Sequence, residues 1–316
     1  MKNALKVLIF TVAFIAVAAG VFIGSLKYNR TDFSCSDGGK KGTTVINAYT
    51  GSSVNIVIPE KIKGDKVVTI GNNAFERTNI KSLVIPDCVT RIEPRAFNEC
   101  TKLETVTIGD SVTVIANSAF SGCSELKEIN IPASVEDIGE MAFAECKNLK
   151  EIKVAEGAKF VFEDGILFTA DKKEAVAALP CVDFSTYKFP AETEKFAPEL
   201  FFNHSELKSF EFPEGTTSIP EGLFTLCSSL EDVKIPDGTL SIGDSAFLGC
   251  KSLSKLYIPS SVRTIGKIAF PAIAKGDKIE DTAKEYYNPD FKLIVEKNSY
   301  AYHYAVENKI DYEFAK

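Results

Sequence analysis

The sequence predicts a mainly β repeat solenoid, a right-handed superhelix of short strands and short helical or 3-10 turns, preceded by one N-terminal transmembrane helix. Three observations predict the solenoid. A unit of about 23 residues recurs along most of the 316-residue chain, Phe returns at one place in that unit, and Pro or Gly regularly closes a short strand pattern. The recurring aromatic residues are Phe75, Phe97, Phe120, Phe143, Phe201, Phe224, Phe247 and Phe270.

Each unit begins with a short strand. In residues 103–108, Val106 and Ile108 fall on one face and Thr107 on the other, which is the period of two expected of a strand. A proline or glycine then ends the strand, because proline cannot extend a hydrogen-bond ladder. These residues are Pro86, Gly109, Pro132, Pro213, Pro236 and Pro259.

A second apolar segment, Val-x-x-Ile, and an x-x-Ala-Phe turn complete the unit. The Ala permits close packing, and the Phe is predicted to fill the space between coils. No unit can bury its apolar side alone, so stacked units must share one core.

Together, these residues resemble the BspA-like, Treponema-type leucine-rich repeats, whose pattern is C-x-x-L-x-x-I-x-I-P-x-x-V-x-x-I-G-x-x-A-F. The resemblance covers about residues 45–270 and implies a first coil at 64–70. It also implies a C-terminal cap with a strand at 291–295, a short helix at 299–308 and a last strand at 310–314. The unit at 159–190 departs from the pattern because it lacks the Ala-Phe pair and the Cys, and residues 271–290 form an insertion.

The predicted domain organisation follows from these boundaries. In chain order it consists of a short cytoplasmic segment (1–6), a transmembrane signal anchor (7–26), a linker (27–42), the leucine-rich repeat domain (43–290, with the irregular unit at 159–190) and the cap (291–316).

The N-terminal anchor is predicted from an uncharged run of 20 residues at 7–26. A helix of that length spans about 30 Å, the thickness of a bilayer core. We expect a single-pass membrane protein with its repeat domain at the cell surface. Small residues at 16–20 are compatible with a cleaved signal peptide, which would make the protein secreted. A buried helix of a soluble protein is the third interpretation. A lipoprotein anchor at Cys35 is disfavoured because no small-residue motif precedes it.

The charge balance argues against a nucleic-acid partner. Beyond residue 30 the chain has 32 basic and 43 acidic residues, since four of its 36 basic residues precede that point. Phosphate binding needs a basic patch. An acidic balance instead fits a soluble, self-repelling surface.

One phase of the repeat holds a column of cysteines, with Thr78 and His204 in the same phase of other units. A metal ladder or a run of disulfides is one interpretation. The favoured one is a column of small buried residues that bond weakly to the turn backbone, because free Cys behaves as a small hydrophobe and same-phase side chains point in parallel. The cysteines are Cys100, Cys123, Cys146, Cys227 and Cys250.

Catalytic and metal motifs are missing from the sequence, so neither an enzyme nor a cofactor or metal is expected. There is no His-x-x-x-His, Cys-x-x-Cys or phosphate-binding loop. Glu163 and Asp164 in the irregular unit have the chemistry to coordinate an ion, but a solvated turn is favoured.

The candidate binding surface is the outward face of the first strands, expected to form one parallel sheet on the concave side. Its mixed charges suit an extracellular or envelope protein as partner. Only Tyr257 is aromatic, which disfavours carbohydrate, and a merely solvated sheet face is the alternative. The candidate residues are Thr105, Thr107, Glu128, Asn130, Glu151, Lys153, Ser209, Glu211, Asp232, Lys234, Lys255 and Tyr257.

Two functions fit this architecture. The resemblance implies a non-catalytic cell-surface module for protein binding and adhesion, as BspA-like proteins are associated with attachment to host proteins and cells. The alternative is a membrane-anchored envelope scaffold that organises other membrane proteins. The irregular unit is a second candidate site, since it breaks an otherwise uniform array.

Overall fold

A computed structural model describes residues 32–182, 184, 187–272 and 286–316. The predicted cytoplasmic segment and signal anchor, and most of the predicted insertion, lie outside the described residues. Within the described part of the chain, no helix has both the length and the apolar character needed to cross a membrane.

The described chain is built from short strands. The N-terminal half contains β1 (Phe33–Asp37), β2 (Thr43–Tyr49), β3 (Asn55–Val57), β4 (Lys61–Ile62), β5 (Asp65–Ile70), β6 (Ser82–Val84), β7 (Arg91–Ile92), β8 (Thr105–Thr107), β9 (Val114–Ile115), β10 (Glu128–Ile131), β11 (Asp137–Ile138) and β12 (Glu151–Val154). The remainder contains β13 (Phe160–Glu163), β14 (Ile166–Thr169), β15 (Glu174–Ala178), β16 (Lys195–Phe196), β17 (Ser209–Glu211), β18 (Ser218–Ile219), β19 (Asp232–Lys234), β20 (Ser241–Ile242), β21 (Lys255–Ile258), β22 (Thr264–Ile265), β23 (Lys292–Val295), α1 (Tyr300–Glu307) and β24 (Tyr312–Phe314).

Successive coils stack their strands in two parallel columns. The first strand column carries β3-β6-β8, β10-β12, β17-β19 and β21-β23-β24. The second strand column carries β2-β5-β7-β9-β11 and β18-β20-β22. Equivalent repeat positions pair in register, as Ser82 does with Thr105. The prediction of a mainly β solenoid is therefore confirmed.

The first strand column is not the single sheet that the sequence predicted. Between β8 and β10 the Asn130 side chain takes over the ladder, since its amide nitrogen donates to the Ile108 carbonyl and its oxygen accepts from the Ile108 N–H, both at 3.4 Å. Between β12 and β17 the irregular unit intervenes.

The predicted aromatic plugs form the centre of the core. Phe75, Phe97, Phe120 and Phe143 are at most 1% exposed, and consecutive rings stack at centroid distances of 5.0, 5.1 and 6.2 Å. The other four plugs stack in the same way at 5.7, 5.4 and 6.0 Å. Stacked rings gain energy beyond their buried area, so the plugs couple each coil to the next.

The sequence predicted short helical or 3-10 turns around the plugs. The structure has hydrogen-bonded turns there instead. In one of them Arg95 and Glu99 adopt φ values of 60° and 56°, which interrupt any right-handed helix. Their N–H groups, with that of Phe97, donate to carbonyls of the next coil at 2.7–3.0 Å. The backbone donors thus serve the stacking of coils instead of bonds within a helix.

The N-terminal boundary also differs from the prediction of a linker at 27–42. Strand β1 lies in that segment and pairs antiparallel with β2, closing the end of the second strand column. The implied first coil at 64–70 is preceded by another, in which Tyr49 stacks on Phe75 at 5.3 Å. An antiparallel strand explains the difference, because the end of a solenoid needs a cover that the repeat pattern does not encode.

The irregular unit replaces a regular coil by antiparallel strands. β13, β14 and β15 pair antiparallel in sequence, and β15 then pairs parallel with β16. Two core clusters meet here: Leu167 and Leu179 belong to the N-terminal cluster, and Ile166 and Phe168 to the C-terminal one. The unit therefore interrupts the core as well as the repeat.

The C-terminal cap follows the expectation from the family resemblance. β23 pairs with β21 and β24 in parallel, and α1 lies between them in the chain. Ser299 caps α1 by accepting a hydrogen bond from the Tyr302 N–H at 3.1 Å. Phe291 stacks on Phe270 at 5.8 Å and extends the aromatic ladder into the cap.

Candidate functional site

The twelve candidate residues lie on the outward face of the first strand column. Ten of them are exposed, while Asn130 and Ser209 are half-buried. Their buried neighbours, such as Val106 and Ile129, point into the core. Strand alternation thus places a polar surface over an apolar core, as the sequence predicted.

The N-terminal half of this face is centred on Lys153. Its Nζ lies 2.6 Å from the Glu128 carboxylate on the neighbouring strand and 4.0 Å from that of Glu151. The hydrogen bond that Lys153 donates to Glu128 raises the pKa of Lys153 above its ordinary value, with partial desolvation opposing it. All three side chains are about half exposed, so the network orders the surface more than it stabilises the fold.

The C-terminal half repeats this arrangement. Lys234 Nζ lies 3.4 Å from the Glu211 carboxylate on the preceding strand of the column. On the next strand of the column, Tyr257 donates a hydrogen bond to Glu296 at 3.3 Å and remains 37% exposed. Burial, and then the charge of Glu296, raises the pKa of Tyr257. Tyr257 is thus an anchored aromatic on an otherwise polar face.

The structure brings the candidates together as two groups instead of one continuous pair of columns. The irregular unit separates strands β8, β10 and β12 from β17, β19 and β21. The first group is Thr105, Thr107, Glu128, Asn130, Glu151 and Lys153, and the second is Ser209, Glu211, Asp232, Lys234, Lys255 and Tyr257.

The in-phase cysteines form the predicted column of buried thiols. Each is fully buried and donates to the carbonyl of the plug Phe in the preceding coil, as Cys123 does to Phe97 at 3.3 Å and Cys146 to Phe120 at 3.1 Å. Cys35, Cys88 and Cys181 are also free thiols. Burial raises the pKa of Cys100 to about 11, which suppresses the reactive thiolate.

His204 occupies the cysteine phase, as predicted. It is 6% exposed, and its Nε2 lies 3.3 Å from the Leu179 carbonyl of the irregular unit. Its Nδ1 has no hydrogen-bond partner. Burial lowers the pKa of His204, so the ring is neutral at pH 7.

Glu163 and Asp164 form a solvated turn, the interpretation favoured by the sequence. Asp164 and Gly165 connect β13 and β14 with φ values of 49° and 88°, as a two-residue hairpin turn requires. Glu163 forms an ion pair with Lys172. Across the described residues, no three His, Cys, Asp or Glu side chains are arranged to hold a metal ion.

Comparison with known families identifies the repeat. A model described as the BspA type leucine-rich repeat region matches residues 68–166 and 178–280 in six copies. The chain belongs to the BspA-type leucine-rich repeat family. No curated protein matches this BspA-type chain.

Solved structures share the BspA-type fold of this chain. The pneumococcal vaccine antigen PcpA is similar with a TM-score of 0.62 and 24% identity, covering 80% of this chain and 72% of the antigen. A leucine-rich cell surface protein of Faecalibacterium prausnitzii has a TM-score of 0.54 and 20% identity, covering 93% of this chain and 96% of its own.

Two features of the BspA-type array escaped sequence reasoning. Tyr49 serves as an additional plug, and the preceding Ala48 reproduces the Ala-aromatic pair of the other units, so this signal was present. Asn130 is the other feature. Its side chain joins two strands, and the only signal in the sequence was a polar residue at an outward-facing strand position.

Proposed function

We propose that this chain is a non-catalytic protein-binding module displayed on a bacterial cell surface, where it mediates adhesion. The main support for this proposal is the polar face of the first strand column. There, the Glu128–Lys153 and Glu211–Lys234 ion pairs and the anchored Tyr257 stand on a rigid stack of coils. Paired charges on a rigid surface select a complementary protein and set its register more than they add affinity.

Location at the surface is proposed from two sources. The similar structures include a protein described as a cell surface protein and a vaccine antigen. The uncharged run at 7–26 has the length of a membrane anchor, or of a signal peptide if it is cleaved. The partner would then be an extracellular or envelope protein, and the acidic balance of the chain argues against nucleic acid.

The experiment is a pull-down with residues 31–316. Retention of host matrix proteins supports adhesion. Retention only of the cell's own envelope proteins favours the alternative, an envelope scaffold. Retention of neither would contradict the proposed binding function.

A charge swap tests whether the partner protein binds to the strand face. The double variant Glu211→Lys/Lys234→Glu keeps an ion pair but reverses its direction, so the fold should survive while partner binding falls. The control swap, Lys173→Glu/Glu194→Lys, reverses a pair of similar exposure, 3.3 Å apart, that lies off this face. Equal binding by both variants would show that the partner does not use the strand face.

A further inference from the structure

Adjacent turns of the solenoid are joined by a regular backbone ladder. The N–H groups of Ser118, Phe120 and Gly122 donate to carbonyls of the next turn at 2.8–2.9 Å. The same three positions donate in the other turns: Asn73, Phe75 and Arg77; Arg95, Phe97 and Glu99; Glu199, Phe201 and Asn203; Gly222, Phe224 and Leu226; Ser245, Phe247 and Gly249.

The ladder stops at the irregular unit. In the described structure, the equivalent N–H groups of Met141, Phe143 and Glu145 have no acceptor. On the downstream turn at 197–204, the carbonyls that would receive such bonds, those of Pro198, Leu200 and Phe202, accept none from the backbone of the described residues. One edge of the break therefore offers donors and the other offers acceptors.

The two edges enclose a groove, called here the turn gap. Its two edges and floor are lined by residues 141–145, 176–178, 199, 200, 202 and 204. Asn203 donates to the Glu145 carboxylate at 2.6 Å and spans the turn gap. The two turns therefore face each other across it.

Two polar groups in the turn gap are buried without hydrogen-bond partners. Phe143 is 1% exposed, so its free N–H is largely withdrawn from bulk water. His204 lines the groove and is 6% exposed, and its Nδ1 has no partner. Folded proteins almost always pair such groups, so their concentration in one groove indicates a ligand with polar atoms.

The charges of the turn gap select the chemistry of that ligand. Glu145 and Glu199 lie on its edges and disfavour an anion. Burial, and then the charges of Glu140 and Glu221, raises the pKa of Glu199, as expected of crowded carboxylates. The three N–H groups disfavour a bare cation. A polypeptide backbone satisfies both edges, because it carries carbonyls for one and N–H groups for the other.

We propose that the turn gap binds a segment of a partner polypeptide that lies between the two edges and carries a basic side chain. Its backbone completes the ladder between the 141–145 edge and the 198–202 edge. Its Lys or Arg reaches Glu199. Ala142 and Ala177 line the groove beside it. This site is separate from the strand face, so either proposal can fail without the other.

The test selects peptides from a random decapeptide library on the full-length chain in detergent micelles. The selected peptides should be enriched in Lys and Arg. When the tightest one is bound, hydrogen exchange of the Met141, Phe143 and Glu145 amides should slow by roughly tenfold or more, as for newly bonded groups. The Ser118, Phe120 and Gly122 amides are internal controls, since the next turn already accepts their bonds.

Two variants separate specific binding from a loss of folding. Glu199→Gln should weaken the selected peptide by roughly tenfold, the value of one lost charged contact. The control Glu214→Gln removes an equal charge from an exposed position away from the groove and should leave affinity within about twofold. The proposal is overturned if no selected peptide protects the 141–145 amides, if those amides already exchange slowly in the free chain, or if both variants bind equally.

Discussion

Replacing Phe120 with Ala tests the role of the aromatic ladder. The side chain is fully buried, with its ring parallel to those of Phe97 and Phe143 at 5.1 and 6.2 Å. Truncation leaves a cavity between two coils, which costs about 3–5 kcal/mol for a buried Phe. Because two stacking contacts are lost together, we expect a value in the upper part of that range.

The assay is urea unfolding followed by circular dichroism, with the free energy of unfolding obtained by linear extrapolation. Phe314→Ala is the matched control. That ring is 43% exposed on the terminal strand, so its loss should cost only about 1 kcal/mol. A cost below about 1 kcal/mol for Phe120→Ala would refute the interpretation of Phe120 as the plug between coils.

The same variant shows where the core is interrupted. Phe120 belongs to the N-terminal core cluster, and Phe224 and Phe247 to the C-terminal one. In a solenoid, each coil is stabilised mainly by contacts with its immediate neighbours. Hydrogen exchange should therefore accelerate in the turns around Phe97 and Phe143 more than in those around Phe224. Equal acceleration in both clusters would show that the irregular unit transmits the full coupling.

Three further predictions concern the column of thiols and His204. Above the ordinary thiol pKa of 9.0 the unfolded chain loses the Cys100 proton while the folded chain keeps it up to about pH 11. The free energy of unfolding should therefore fall with rising pH, by up to about 1.4 kcal/mol per unit relative to Cys100→Ala; identical slopes in the two proteins would contradict this. Burial lowers the pKa of His204, so the stability it contributes is present above its ordinary value of 6.5 and is lost as pH falls below it; His204→Gln should flatten that acid limb, and an unchanged limb would rule the residue out. Finally, the melting temperature of residues 31–316 should be the same with and without reductant, since the cysteines act as free thiols; a large drop on reduction would show that a disulfide supports the fold.

The repeated parts of the fold were predictable because each position recurs. Two sets of four regularly spaced Phe, on either side of the irregular unit, defined the core. Strand alternation gave the inward and outward faces, which the burial of Val106 beside exposed Thr105 and Thr107 confirms. The cysteine column was predictable for the same reason. Periodic burial leaves a periodic residue pattern that one sequence is enough to show.

Features that occur once were not predictable in this way. Strand β1 covers the end of the second strand column, but nothing in residues 33–37 repeats. The bridge from Asn130 to Ile108 depends on two strands lying side by side. The turn gap arises from unpaired backbone groups at Met141, Phe143 and Glu145, and backbone hydrogen bonds have no residue signature. The candidate face could be identified residue by residue, but its division in two could not.

Site-specific photo-cross-linking tests the central claim, binding through the strand face, most directly. A photoreactive phenylalanine analogue would be placed at Thr107 and Lys234 on that face, with controls at Asp137 and Thr264 on exposed positions of the second strand column. After irradiation with the partner recovered by pull-down, we expect covalent adducts from Thr107 and Lys234 and none from the controls. Adducts from Asp137 and Thr264, with none from the strand face, would contradict the proposed mode of binding.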